Sequence, residues 1–236
     1  MPDTSSLDLP PDEAAHLVRV LRVRPGDAVR VFNGRGLECE ASVTHIGKGS
    51  VAVAVQRVVP AAAECRVRVT LAQAVLKGDK LDDCIRDAVM LGVAAVQPII
   101  TGRTDVPGMA FARGGRVQRW QRIAVSSAKQ CGRAVVPEVH PPVTLAECLA
   151  GDSSDVRVLL AEPAAGEGSG PGALRARPAV SSALVLVGPE GGWTPDEVAD
   201  AANSGAIVLT LGRRTLRADA AALVALSVLL HVWGDL

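Results

Sequence analysis

The densest chemistry in the chain lies in two glycine turns. Residues 186–198 read LVGPEGGWTPDEV, an apolar run that ends in Gly188, Pro189, Glu190, Gly191 and Gly192 and passes straight into helix-start signals. Without Cβ, such glycines permit positive φ and let a ligand come close to the backbone. Thr194, Pro195 and Glu197 fit an N-cap, a first-turn proline and the N3 position of a capping box. Residues 207–230, IVLTLGRRTLRADAAALVALSVLL, repeat the layout with Gly212, a basic loop through Arg217 and an Ala/Leu-rich helix. Arg213, Arg214 and Arg217 offer donors for an anionic or carbonyl-rich substrate. A plain reading stands beside this one: two strand-to-helix connections, with Glu190 facing a helix dipole and the arginines on the surface. Neither turn has the spacing of a dinucleotide or nucleoside triphosphate loop.

To bring both turns to one pocket, the chain needs an open parallel sheet, where ligands sit outside the carboxyl ends of the strands. The pattern from residue 66 onward predicts one. RVRVTLAQAV and VAAVQPII read as strands, followed by strands at 156–161, 183–187 and 206–211 with helical stretches between them. A helix from Lys80 to near Gly92 places Leu81, Cys84, Ile85 and Ala88 on one face. Another over 117–131 buries Trp120, Ile123, Ala124 and Ser127, with Gly132 as its stop. This α/β alternation implies a mainly parallel sheet covered on both faces. Residues 1–62 read differently: a short helix from about Asp12, then AVRVFNG, LECEASVTHIG and GSVAVAVQRVV as strands separated by Gly-containing turns, a small antiparallel barrel. PAAAE links it to a second domain over 66–236. Residues 162–178, rich in Gly, Pro and Ala, read as a mobile surface loop, with an active-site lid as the alternative.

Composition narrows the function. With hydrophobic residues at 48% but aromatics at 2%, the core must be built from Ala, Val and Leu, and stacking on bases is scarce. Basic and acidic residues balance at 25 each, but residues 65–140 carry 12 basic and 6 acidic side chains, a candidate phosphate-facing surface or a solvated charged face. Five scattered cysteines favour reduced thiols, and four dispersed histidines offer no metal-ligand spacing, so no metal is expected. With no signal peptide and no apolar run long enough to span a bilayer, the expectation is a soluble, cytoplasmic protein without a membrane partner.

The two turns together resemble the paired signature of the RsmE family, SPOUT-superfamily methyltransferases that methylate N3 of a uridine near the 3′ end of 16S rRNA. HLVRVLRVRPGD with FNGRG is similar to that family's N-terminal PUA-like RNA-binding barrel, LKGDKLDDCIRDAVMLGVAAVQPIITGRT to its first β-α-β segment, and RWQRIAVSSAKQCGR to its central helix. The resemblance implies a SPOUT-type α/β fold with a C-terminal trefoil knot, an exception to the rule of unknotted chains. It further implies an S-adenosylmethionine site in the knot, a homodimer, and 16S rRNA within the small ribosomal subunit as substrate. Carried over by position, the cofactor residues are Leu160, Leu186, Val187, Gly188, Glu190, Gly191, Gly192, Leu209, Leu211, Gly212, Leu216 and Arg217. This chain departs from the family at Lys129, where Glu is common before Gln130, and at Ala218, Asp219 and Ala220, where Thr-Glu-Thr is common after the arginine.

Methylating uridine N3 requires loss of the N3 proton and stabilisation of charge on the uracil carbonyl oxygens. Arg217 suits the second task, and Glu190 or Asp219 is the candidate base. Arg19, Arg22, Arg24, Lys77, Lys80, Arg103, Arg116, Arg119, Arg122 and Arg133 are candidates for salt-dependent phosphate contacts. Two other readings remain: a SPOUT methyltransferase for tRNA or another rRNA site, and a non-enzymatic RNA-binding ribosome-assembly factor.

Overall fold

The computed structural model describes residues 6–105, 115–163, 169–175 and 180–236. They fall into two compact units, Met1–Ala63 with Gly132–Val135, and Glu64–Cys131 with Val136–Leu236. The return of Gly132–Val135 to the first unit was not legible as a break in composition. It is fixed by an antiparallel bridge between Arg35 and Val135 and by the Gly36 amide, which donates to the Ala134 carbonyl at 3.1 Å.

In the first unit, β1 (Ser6–Asp8), β2 (Ala28–Phe32), β3 (Glu38–Gly47) and β4 (Ser50–Val59) form an antiparallel sheet in the order β1-β4-β3-β2. Alternation along β3 and β4 turns Ala41, Val43, Val51 and Val53 inward against Ala14 of α1 (Pro11–His16). The expected barrel is an open ladder among the described residues, because β1 and β2 are its two edges. Helix α1 runs on into a π-helical turn, Leu17–Leu21, closed by Arg22 at φ 54°.

The second unit is built on a seven-stranded sheet whose neighbours are all parallel. Its strands are β5 (Arg68–Ala74), β6 (Ala95–Ile100), β7 (Glu138–Val139), β8 (Val143–Thr144), β9 (Val156–Leu160), β10 (Ser182–Val187) and β11 (Ile207–Leu209). The order is β11-β9-β10-β5-β6-β7, with β8 also on β6. Buried on both faces, the central strands are apolar almost throughout, and period two divides them between two cores. Val69, Leu71, Val158 and Val185 pack with α2 (Lys80–Met90), α3 (Arg116–Cys131) and α6 (Ala218–Trp233). Ala72, Ala74, Leu159 and Leu184 pack with α4 (Leu145–Gly151) and α5 (Pro195–Asn203). Each fully buried Leu or Val contributes about 1.5–3 kcal/mol of transfer free energy, so aliphatic residues suffice where aromatics are missing.

The face expected on α2 is buried as read. On α3 Trp120, Ala124 and Ser127 are buried, but Ala128 takes the place expected for Ile123, which is partly exposed. Strand β11 stops at Leu209, earlier than expected, where its pairing with β9 ends at Leu160, and a bridge joins Leu209 to Ser169. The Ser169 amide donates to Val208 and the Thr210 amide to Ser169. The expected mobile loop lies partly outside the described residues. Within them, Ser169 is paired and Leu174 is 2% exposed, which corrects the reading of this stretch as plain surface loop. No helix among the described residues is long and apolar enough to cross a membrane.

Candidate functional site

Three strands deliver their carboxyl ends to one cavity of about 300 Å3. From β9 come Leu160 and the residues after it, Ala161, Glu162 and Pro163. From β10 come Val187 and the turn with Gly188, Pro189, Glu190, Gly192 and Trp193. The loop after β11 supplies Leu211, Arg214, Thr215, Leu216 and Arg217, and α6 adds Ala218, Asp219 and Ala221, with Lys80 at the start of α2 completing the wall. Thr194 caps α5 as expected: its Oγ1 accepts from the Glu197 amide at 3.2 Å and its amide donates to Glu197 Oε2 at 2.8 Å.

Of the twelve residues expected to hold a cofactor, Leu160, Val187, Gly188, Glu190, Gly192, Leu211, Leu216 and Arg217 line this cavity, and Asp219 joins them. Leu186 and Leu209 do not, because each is 0% exposed with its side chain in a core. Gly191 lies beside Arg103, and Gly212 serves the path of the loop with φ at +82°. Trp193, Glu162 and Thr215 were missed. Trp193 could have been found as one of three tryptophans in an aromatic-poor chain, placed directly after the glycine turn.

At Gly192 the backbone takes the expected positive φ, and all three glycines of the first turn also face the protein's own side chains. A Cβ on Gly188 would lie 3.1 Å from Trp193 Cε2, one on Gly191 would lie 3.1 Å from Arg103 Cβ, and one on Gly192, at φ +69°, would lie 3.2 Å from Glu162 Oε1. The missing side chains thus make room for the protein's own groups. Trp193 fills the space above Gly188 and donates from Nε1 to the Leu160 carbonyl at 2.7 Å, tying the ends of β9 and β10 together. Arg103 Nη1 donates to the Gly191 carbonyl at 2.8 Å, and the Gly102 amide donates to Glu197 Oε1 at 2.7 Å, so the loop after β6 braces the same turn.

Two ion pairs lie in the cavity wall. Lys80 Nζ lies 2.7 Å from Glu190 Oε1, which also accepts from the Lys77 amide at 3.3 Å. Burial alone would raise the Glu190 carboxyl, but the hydrogen bonds from Lys80 and from backbone amides outweigh it and hold the group below the ordinary glutamate value. A carboxylate so held is a poor proton acceptor. Arg217 Nη2 lies 3.0 Å from Asp219 Oδ2, with the arginine side chain 73% exposed at the rim.

The basic residues expected on an RNA surface divide into two sets. Lys77 pairs with Asp105 and Arg119 with Asp79 and Asp82, carboxylates that already belong to this stretch, whereas Lys80 is paired by Glu190 from outside it and Arg103 donates to a carbonyl. Arg133 is 7% exposed in the first unit and presents no surface for a phosphate. Arg19, Arg22, Arg24, Arg116 and Arg122 are exposed. Among the described residues no cluster of His, Cys, Asp or Glu could hold a metal ion, and the five cysteines are free.

Residues 63–230 match the family model of the RNA methyltransferase domain, and residues 9–56 match that of the RNA methyltransferase PUA domain. Ribosomal RNA small subunit methyltransferase E of Synechocystis sp. is 31% identical over 213 residues, 90% of this chain and 68% of the relative. The protein of the same name from Mycobacterium bovis is 30% identical over 232 residues, 96% of this chain and 87% of the relative. A crystal structure of ribosomal RNA small subunit methyltransferase E from Neisseria gonorrhoeae, bound to S-adenosyl methionine, matches with a TM-score of 0.86 at 32% identity, over 97% of this chain and 92% of that one.

Proposed function

We propose a site-specific RNA methylation for this chain, which belongs to the ribosomal RNA small subunit methyltransferase E family. It is an S-adenosylmethionine-dependent ribosomal RNA methyltransferase of the small subunit. Our finer reading is that the methyl group goes to N3 of a uridine near the 3′ end of 16S rRNA, in the assembled subunit. The observation that carries it is the single cavity shared by the two glycine turns, with Arg217 at its rim.

The residues fit the methyl donor. The cavity lies at the lower end of the range of about 300–1,000 Å3 for small-molecule sites. Leu160, Val187, Leu211 and Leu216 give it apolar walls beside the backbone of Gly188 and Gly192, a suitable lining for a nucleoside. When bound, the donor supplies an electrophilic methyl on a sulfonium centre. The protein's own tasks are to orient the uracil ring and to bear the charge that spreads to its carbonyl oxygens as N3 loses its proton. Arg217 takes the second task, since an exposed guanidinium at the rim becomes desolvated when RNA covers it. Asp219 holds that guanidinium and is the carboxylate we assign to receive the proton, because it stands beside the group that bears the uracil charge, whereas Glu190 is kept ionised by Lys80 and backbone amides together.

N3 is engaged in Watson–Crick pairing, so the target base must be unpaired or flipped out. With few aromatics to stack on bases, recognition rests on shape and phosphate contacts, which supports a preference for the assembled subunit over naked RNA. We read the carboxyl-terminal passage as a trefoil knot, supported by the insertion of β10 between β5 and β9 with β11 beyond β9. The homodimer and the cytoplasmic location rest on family membership.

The test is transfer of labelled methyl from S-adenosylmethionine to small subunits from cells lacking this gene, with naked 16S rRNA alongside, followed by nucleoside mass spectrometry and site mapping. One 3-methyluridine in the assembled subunit is the expected product. Methylation of tRNA or of another ribosomal site would overturn the substrate assignment, and cofactor binding without any methylated RNA would do the same.

A further inference from the structure

Gln73 is a polar residue at a fully buried position of β5, on the face that packs against α2. A carboxamide there must be satisfied by hydrogen bonds. Its Nε2 faces three carbonyls, Ala74 at 3.1 Å, Val187 at 3.4 Å and Gly188 at 3.3 Å. Its Oε1 accepts from Cys84 Sγ at 3.7 Å. Burial pushes the Cys84 thiol up to about 12, so it stays a protonated donor. Donors toward three carbonyls and an acceptor toward a thiol fix which way the amide points.

Gln73 lies opposite Val187 in the parallel register of β5 and β10, and Val187 is the last residue of β10. Where the main-chain ladder ends, the glutamine side chain continues it by one residue, onto the carbonyl of Gly188. Val187 and Gly188 both line the cavity, whereas Gln73 does not. Gly188 has little room to move, because Trp193 already fills the space where a Cβ would stand.

We propose that Gln73 is a positioning residue for the methyl donor: its carboxamide fixes the Val187–Gly188 backbone at the cavity wall and so sets donor affinity without touching donor or RNA. The proposal rests on the cavity being the donor site. A glutamine that served stability alone would change melting temperature and leave the donor's Kd where it was.

The experiment is calorimetric titration of the full-length protein with S-adenosylmethionine and S-adenosylhomocysteine, together with steady-state kinetics on small subunits. Gln73→Met keeps the volume and removes both hydrogen-bonding functions. It should weaken donor affinity and raise the donor's KM by about tenfold, with kcat within about threefold and the RNA KM unchanged. Gln73→Glu turns acceptor oxygens toward three carbonyls and should lose more. Cys84→Ala, which removes the partner of Oε1, should shift affinity in the same direction by about two- to threefold, and it carries the test if Gln73→Met does not fold. Ser127→Ala is the stability control: its hydroxyl donates to the Arg86 carbonyl at 2.6 Å, away from the turn, and its loss should lower Tm without changing donor Kd. Donor affinity within about twofold of wild type in the folded Gln73 variants, or indistinguishable from wild type in Cys84→Ala if they do not fold, would overturn the positioning role. A wild-type protein that binds no donor would instead overturn the cofactor reading itself, so the two failures are distinguishable.

Discussion

Arg217 Nη2 lies 3.0 Å from Asp219 Oδ2, so the residue that caps α6 and the first carboxylate of that helix form one pair at the cavity rim. The pair separates two roles that the sequence left together. Glu190 is held below its ordinary pKa and engaged by Lys80, whereas Asp219 faces the arginine that would bear the uracil charge. Arg217→Ala should therefore reduce kcat by about a hundred- to a thousandfold, the cost of losing a preorganised donor at a developing oxyanion. Glu190→Gln should cost less than about tenfold in kcat, and Asp219→Asn more than that, if Asp219 takes the proton. Single-turnover methyl transfer measures all three, and a Glu190→Gln variant as inactive as Arg217→Ala would reverse the assignment.

Gly188 and Trp193 make a second prediction. With a Cβ 3.1 Å from the indole, Gly188→Ala must push Trp193 away from the Leu160 carbonyl or shift the turn itself. Donor affinity should fall by about tenfold or more, with a change in tryptophan fluorescence, while secondary structure by circular dichroism is retained. Trp193→Phe removes the 2.7 Å hydrogen bond but leaves an aromatic ring over the glycine, and it should lose less. If Gly188→Ala binds donor as wild type does, the fit between glycine and indole is not what shapes this wall.

That contact also shows where the sequence stopped being informative. Strands, helices and the Thr194–Glu197 capping box were legible because each rests on local period or spacing. The cavity wall was legible only in part. In β10, buried on both faces, every position after Ser182 is apolar, so Leu186 looks like Val187 until the strand end is placed, and Leu209 looks like Leu211 until β11 is seen to stop between them. Charges mislead for a related reason. A count of residues 65–140 sees Lys80 but not Glu190, 110 positions away, which neutralises it. Glycines signal that a side chain is excluded, yet not by what: here Trp193, Arg103 and Glu162 occupy the space. Gln73 stood in plain view inside RVRVTLAQAV, but its three acceptors include two carbonyls more than a hundred residues away.

The start of the sheet predicts a pH effect. Asp155 Oδ2 accepts from the Ser181 hydroxyl at 2.6 Å, the Ser181 amide at 2.8 Å and the Ser182 amide at 2.9 Å, joining the beginnings of β9 and β10. These bonds hold its carboxyl down at about 2. The folded value lies below the ~3.9 of an unfolded chain, so the contribution is complete above the unfolded value and is lost as pH falls toward the folded one. Asp155→Asn should lower Tm at neutral pH. The gap from wild type should begin to close below about pH 4 and vanish near about pH 2, as read by thermal melts across that range. A gap independent of pH would show that the charge of Asp155 plays no part.

RNA binding should separate paired from available cations. Arg122 is exposed on α3 and donates through Nε to the Gln118 carbonyl at 3.2 Å, whereas Arg119, on the same helix, is engaged by Asp79 and Asp82. A cation that meets a phosphate releases condensed counterions, and its removal lowers the slope of log K against log salt concentration by about 0.7 to 0.9. Arg122→Ala should show that loss on small subunits titrated between about 50 and 200 mM salt. Arg119→Ala should show less than half of it, because its charge is already compensated within the protein and a phosphate would have to displace two carboxylates. Equal slopes for the two variants would mean that RNA reorganises these ion pairs on binding, and that charge pairing in the free protein does not identify the RNA surface.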